Sequence, residues 1–333
     1  MPPVPKKTND EKASSSQEIK DSVINRSNIT IEHHYHKYEE EGTEGKARNI
    51  PDDNGAVDAD LDSEKACAIP GDKGLFPTAR TDNWWIPPLA VFLGLGTAVV
   101  YMTWAAFQGT NYFYDGNGAS YLSPLYSPEL FGETEHAIFG DRPPMWPDWM
   151  PYSPAFLILW IPAGFRVTCY YYRGSYYKAF WADPPACAVG EPRNSYWGEN
   201  SMPLILQNLH RYMLYLAIIF IFVLGYDAWL SMWFDGKPFE GDFGIGVGTF
   251  VLTLNVFLLG GYTFGCHSLR HLIGGYADRI VKKPKVQQKA FDCVSCLNKQ
   301  HMKWAWFSLF WVCFTDVYVR LCASEVINDL RIF

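Results

Sequence analysis

The first 83 residues hold only three aromatic side chains, Tyr35, Tyr38 and Phe76, in a chain of 333 residues with 13 Trp, 20 Tyr and 22 Phe. That absence excludes a single soluble globule with its hydrophobes evenly spread. Basic residues are also short, since 28 Lys and Arg face 35 Asp and Glu and leave a net charge of -7. No basic footprint exists for nucleic acid, so DNA and RNA are excluded as partners. Met1–Thr30 has no apolar stretch of the kind a secretory signal requires, so the N-terminal tail is expected to stay in the cytoplasm. A second CxxC is missing too. Cys293 and Cys296 form a lone CxxC, too little for a structural zinc site.

Segment 1–83 is instead rich in Ser, Asp, Glu and Lys, with Glu39-Glu40-Glu41 and a run of aspartates from Asp52 to Asp62. Such a segment cannot bury enough apolar area to offset its chain entropy, and a disordered acidic cytoplasmic tail is expected. His33, His34 and His36 cluster within it and read as solvated histidines, and Cys67 as a free thiol.

What is plentiful lies beyond residue 83. A helix needs about 20 mainly apolar residues to cross the hydrocarbon core of a bilayer. Five segments meet this, at about 84–107, 153–172, 204–234, 245–273 and 302–323. The fold class expected is an all-α membrane protein, a five-helix transmembrane bundle over 84–333 set in the lipid bilayer. Pro154 and Pro162 make the second span the weakest, although membrane helices tolerate proline when neighbours satisfy the freed carbonyls. Trp84-Trp85, Trp104, Trp146, Trp149, Trp229, Trp233, Trp304 and Trp306 fall near the span ends, as an interfacial aromatic belt does.

Orientation follows from the connections. The first and third carry one basic residue each, Arg142 and Lys237. The second carries Arg173, Lys178 and Arg193, and the fourth carries Arg279, Lys282, Lys283, Lys285, Lys289 and Lys299. The excess places the second and fourth connections, and the N-terminus, on the cytoplasmic side, with the C-terminus outside.

On that topology Cys169, Cys187, His210, Cys266, His267, His271 and His301 gather at one membrane face, with Arg166, Arg173, Arg211 and Arg270 at the same level. Polar groups at this depth are expensive and usually functional. His267 and His271 stand i, i+4 and share a helix side, as a metal site or paired relay needs. A single His near a helix end is commonly just an interfacial hydrogen-bonder, and Cys313 and Cys322 read as ordinary packing. For the set as a whole, two chemistries compete. Two imidazoles from different helices clamp a haem b iron, with His210 facing His267 or His271. Two thiolates and two imidazoles suit a Rieske-type 2Fe–2S cluster. Haem would leave the cysteines without a purpose, which favours the iron–sulfur cluster.

The blocks FRVTCYYYRGSYYKAFWADPPACAVGEP (165–192), LILQNLHRY (204–212), YTFGCHSLRHLIGG (262–275) and LNKQHMKWAWFSL (297–309), with YLSPLYSP (121–128) and TDVYVRLCASEVINDLRIF (315–333), resemble one family. They are similar to the single five-helix membrane anchor of succinate dehydrogenase/fumarate reductase of the actinobacterial type, over roughly 80–333. The resemblance implies an anchor in the bacterial cytoplasmic membrane, in a complex that can assemble into a higher oligomer. It implies docking of a flavoprotein and an iron–sulfur subunit, no dicarboxylate active site in this chain, and electron transfer to a membrane quinone through a Rieske-like 2Fe–2S cluster. Carried onto matching positions, the ligand candidates are Cys169, Cys187, His210 and His271, then Cys266 and His267. Leu269 stands where relatives often have a second Cys, which removes a ligand there. Quinone contacts are expected from Arg211, Tyr212, His301, Trp304 and Tyr172, Tyr or His donating to quinone oxygens and Arg stabilising negative charge. A non-redox transporter is the rival from another class. The largely apolar interiors Ala217–Leu224 and Thr249–Leu259 argue against a path across the membrane.

Overall fold

The computed structural model describes residues 75–132, 134, 136–141, 143–147, 149, 152–192, 204–235, 238–274 and 285–333. The expectations for 1–74, including the histidine cluster and Cys67, lie outside the described residues, as do Arg142, Arg193, Lys237, Arg279, Lys282 and Lys283.

Helix α1 spans Ile86–Gln108. Pro87 and Pro88 occupy its first turn, where the missing N–H groups cost no helical bond. Gly109 ends it in the left-handed region at φ 61°, and a Cβ there would press on the Tyr152 carbonyl at 3.1 Å. A hairpin follows, β1 (Phe113–Gly116) against β2 (Ala119–Leu122), antiparallel with Tyr114 opposite Tyr121. Asn117 and Gly118 turn it with φ 53° and 77°, the conformation a two-residue primed turn demands.

The second expected span is not one helix. It breaks into α2 (Ala155–Ile158), α3 (Trp160–Val167) and α4 (Tyr170–Ser175), with one π-helical stretch over Tyr176–Phe180. Pro162 has no N–H to give the Ile158 carbonyl, which stops α2. At the other break Thr168 donates its hydroxyl back to the Gly164 carbonyl at 2.7 Å, and Cys169 adopts an extended conformation. Helix α5 (His210–Leu230) follows a 3₁₀ turn at Leu204–Leu209. A short pair, β3 (Trp233–Phe234) and β4 (Asp242–Phe243), precedes α6 (Val247–Phe264). The fourth expected span also divides, at Gly265-Cys266, and continues as α7 (His267–Gly274). A Cβ at Gly265 would meet the Gly261 carbonyl oxygen at 2.6 Å and that of Leu297 at 3.2 Å. The basic fourth connection contains α8 (Lys285–Lys299), and α9 runs His301–Ala323. Among the described residues four helices are long and apolar enough to cross a membrane, Ile86–Gln108, Ile205–Leu230, Val247–Phe264 and His301–Ala323.

Residues 75–83 are not loose chain. Thr78 bridges Val189, and the Gly190 N–H donates to the Pro77 carbonyl at 2.7 Å. Composition averaged over the tail hid these few residues.

One core cluster joins Leu95, Phe165, Cys169, Leu214, Tyr262 and Leu309. Others lie under the two hairpins. At the hairpin end a charged pair is buried and hydrogen-bonded on every side. Arg320 Nε donates to Asp316 at 2.7 Å, and its other nitrogens reach the carbonyls of Thr110 (2.8 Å) and Ala105 (3.0 Å). Asp316 also accepts from Tyr101 at 2.6 Å and from Ser123. Asp329 takes bonds from Tyr121, Tyr318 and the Gly248 N–H, tying the C-terminus to the start of α6.

Removing one partner of a buried pair leaves the other charge uncompensated. Asp316→Ala is expected to lower stability by about 3–5 kcal/mol, and Asp316→Asn by less because the amide oxygen still accepts. Thermal unfolding of the purified protein in detergent reads both. Equal midpoints for the wild type and Asp316→Ala would contradict the clamp.

Candidate functional site

Four sulfur and nitrogen donors are brought together at the end of the bundle away from the hairpins. Cys169 Sγ lies 3.5 Å from His301 Nε2, and His210 Nε2 lies 3.0 Å from Cys266 Sγ. Both cysteines and His210 are buried. Each of the four opens a helix: Cys169 caps α4, His210 begins α5, Cys266 immediately precedes α7, and His301 begins α9. Helix starts carry unpaired N–H groups and partial positive charge. The Ser268 N–H points at Cys266 Sγ from 3.4 Å.

The tautomer of His210 follows from its neighbour. Thr168 Oγ1 commits its single proton to a backbone carbonyl, so at 2.9 Å from His210 Nδ1 it accepts. Nδ1 therefore carries the proton, and the Nε2 lone pair faces Cys266. The His210 ring lies flat on Phe165, centroids 4.7 Å apart and planes 7° apart. His301 stacks on Tyr262 at 5.0 Å, and its Nδ1 is buried without a hydrogen-bond partner.

Arg166 forms the floor beside them. Its guanidinium donates to Tyr172 Oη (3.0 Å), the Ala305 carbonyl (3.2 Å) and Ser308 Oγ (2.8 Å), and lies 4.6 Å from the centre of the Tyr262 ring. Tyr172 adds its own bond to the Ala305 carbonyl at 2.9 Å. The Tyr262 hydroxyl is buried and has no partner. Arg166, Tyr262 and Thr263 border a cavity of about 490 Å³ whose other walls are nearly all apolar, including Phe107, Phe156, Phe220 and Leu259.

The remaining expected site residues stand elsewhere. Cys187 is exposed and borders a separate cavity of about 600 Å³ with Arg80, Trp84, Tyr171 and Lys178. Arg80 donates to the Cys187 carbonyl at 2.9 Å and pairs with Asp82, whose hydrogen bonds hold the Asp82 carboxyl below its ordinary range. His267 and His271 are both exposed and face each other, Nε2 to Nε2 at 2.9 Å. Arg211 and Tyr212 are exposed on α5. Trp304 packs on α6 at Gly261 and Phe257. Of the five expected quinone contacts, only Tyr172 and His301 enter the buried cluster. Among the described residues no three His, Cys, Asp or Glu side chains are arranged to hold one metal ion. The four donors stand as two pairs.

Arg166 was visible in the sequence as a cation at the right level. Tyr262 was not singled out, because a Tyr within an apolar helix gives no signal apart from its neighbours.

The family model of the actinobacterial succinate dehydrogenase subunit SdhC matches residues 86–325. A chain of the Mycobacterium smegmatis Sdh1 complex in the apo form is 43% identical, with a TM-score of 0.68, covering 77% of this chain and 94% of that one. No curated protein matches.

Arg166→Met removes three donated bonds from a buried charge and should cost about 3 kcal/mol, since bonds to charged groups contribute about 1.5–3 kcal/mol each and not additively. Arg166→Lys keeps the charge but lacks the planar fork, and should recover only part. Thermal midpoints of the two variants, compared with the wild type, check the order.

Proposed function

The chain belongs to the actinobacterial succinate dehydrogenase SdhC family and is a membrane subunit of that complex, and from this we propose that it passes electrons from the complex's soluble iron–sulfur subunit to a membrane quinone. The single observation that carries the reading is the buried set Cys169, Cys266, His210 and His301, drawn from the starts of four helices.

Two thiols and two imidazoles match a Rieske-type 2Fe–2S cluster in number and kind. The Nε2 of each ring faces a thiol, His210 toward Cys266 and His301 toward Cys169, so each imidazole offers a nitrogen beside a sulfur. A Rieske-type cluster takes both thiolates on one iron and both imidazoles on the other, so the Cys–His pairs seen here would regroup around it. Cys169, Cys266, His210 and His301 would hold the cluster, with Cys187 and His271 of the earlier expectation replaced by buried donors. When bound, such a cluster supplies a one-electron relay whose imidazole ligands raise its potential. Phe165 and Tyr262 stack on the two imidazoles and exclude water from them. The haem b alternative is disfavoured because it would leave the two thiols that face the imidazoles without a role.

The quinone is placed in the 490 Å³ cavity. The Tyr262 hydroxyl would donate to a quinone carbonyl, and Arg166 would stabilise the charge that develops there. The apolar walls suit the isoprenoid tail. Full reduction takes two electrons and two protons per quinone, and the protons must reach this buried end from solvent.

Connectivity favours five crossings with the second interrupted. Helix α1 ends by the hairpin, where Gly109 N–H donates to Tyr126 Oη at 3.1 Å, whereas α5 begins beside Cys169 at the opposite end. The chain between them must traverse the bundle, and α2 to α4 are the segment that does so. Nine basic residues against two then set the N-terminus in the cytoplasm and the C-terminus outside. The soluble flavoprotein and iron–sulfur subunits would dock at the cytoplasmic, Cys/His end.

The test compares the purified complex carrying Cys169→Ser or His301→Ala with the wild type. Loss of the embedded cluster's share of the visible absorption and of about two irons per complex is expected, with quinone reduction lowered at least about 100-fold. The flavin and the soluble subunit's clusters still absorb. Succinate oxidation by a soluble dye should persist, since the soluble subunits remain. A Soret band that survives Cys169→Ser but not His210→Ala would move the assignment to haem b. For the quinone cavity, Tyr262→Phe is expected to raise the quinone KM several-fold while leaving the visible spectrum unchanged.

A further inference from the structure

His267 and His271 stand outside the buried donor set and form an arrangement of their own. They occupy the first turn and a half of α7 at i, i+4, so both rings rise from one side of the helix. Their Nε2 atoms are 2.9 Å apart, with ring centroids at 4.4 Å and planes crossed at 77°. Both side chains are exposed. We propose that this pair chelates a divalent transition-metal ion of tetragonal preference, copper(II) or nickel(II), with water completing its shell.

The separation argues for that class. With metal–nitrogen bonds of about 2.0–2.1 Å, two cis ligands at about 90° stand about 2.9 Å apart, and a tetrahedral pair about 3.4 Å apart. At 2.9 Å the two nitrogens share a hydrogen bond, and an ion would take its place as the proton moves to the Nδ1 of the donating ring. That spacing is already the tetragonal one, whereas zinc would require the rings to open by about half an ångström. Imidazole nitrogen suits these ions, and copper(II) and nickel(II) lie high in the divalent affinity order. The intervening cation, Arg270, is close enough for its charge to be felt at His267, but it is held away from the pair. Arg270 is turned to α8, where its Nε donates to Ser295 Oγ at 3.0 Å and its guanidinium lies 5.0 Å from the Phe291 ring centre. Leu269, also between them, is buried on the opposite side. Among the described residues no third His, Cys, Asp or Glu completes the set, so this chain supplies two protein ligands to the ion. Binding would staple the first turn of α7, the helix that begins directly after Cys266.

The test uses the intact complex with His33, His34 and His36 replaced by alanine, because those tail histidines would bind the same ions. Nickel(II) binding is measured by equilibrium dialysis, with copper(II) in competition. One ion per chain is expected, and His267→Ala or His271→Ala should each weaken binding at least about tenfold, as loss of a chelate does, with iron content and visible spectrum unchanged. Nickel(II) binding that neither substitution weakens overturns the proposal. Loss of iron or of the visible bands in His271→Ala also overturns it, because the pair would then belong to the buried centre.

Discussion

A guanidinium enclosed within a helical bundle must find acceptors inside the protein, and Arg166 organises its end of the molecule by finding them. An unpaired charge at this depth would cost far more than any packing around it could return. Its three bonds run to Tyr172, one helix fragment further along, and to Ala305 and Ser308 on α9. They therefore fix where the interrupted segment lies against α9, and with it the position of Cys169 between them. The same guanidinium closes the polar end of the apolar cavity. Core packing, donor placement and the cavity's chemistry all follow from one side chain's need for partners.

The hairpin end repeats the logic with the opposite purpose. Asp316 and Arg320 satisfy each other, and the rest of their capacity goes to Tyr101, Ser123 and the carbonyls exposed where α1 ends. Glu129 accepts from Tyr112 and Thr134, and Asp227 from Ser127. Each of these carboxylates accepts at least one hydroxyl from a loop or the hairpin, which makes them fasteners. The Cys/His end keeps unpartnered buried atoms on His301, Tyr262 and Trp304, while Trp233 Nε1 at the hairpin end and Asn255 Oδ1 in α6 are also without a partner. Buried polar atoms are nearly always paired in a folded protein, so each of these is a place where a ligand, a partner or water can bond.

Much of this was legible in the sequence. Apolar run length located three helices to within a few residues and the start of a fourth, which ends at Phe264 rather than 273. In lipid the length of the hydrophobic segment dominates other signals. The breaks were not read. Pro162 announced one of them, but the Thr168 back-bond and the close approach at Gly265 depend on neighbouring elements. The hairpin was missed although Asn117-Gly118 between aromatic residues is a strong turn signal; attention to span length concealed it. In the site, Cys169, His210 and Cys266 were chosen because they sit at the ends of spans. His301 was given a different role and Cys187 and His271 were grouped with the donors, because level along the membrane says nothing about angular position around the bundle.

The breaks themselves explain why the donors meet. A continuous helix places successive side chains 100° apart on its surface and keeps its N–H groups occupied, so it offers a buried site few inward groups and no free backbone donors. Interrupting it near one level frees N–H groups and lets the residue at the break leave the helical surface. Cys169 does this in extended conformation, and Cys266 does it after Gly265. His210 and His301 follow a 3₁₀ turn and a non-helical Gln300. The start of α7 turns a backbone N–H to one of the two thiols, Ser268 N–H lying 3.4 Å from Cys266 Sγ. Irregular backbone at membrane depth is tolerated only where it is enclosed by protein. Here α8, packed against α6 and α7, and the bonded strand of 75–83 lie over that irregular end, so the break in each helix and the cover above it form one structural solution.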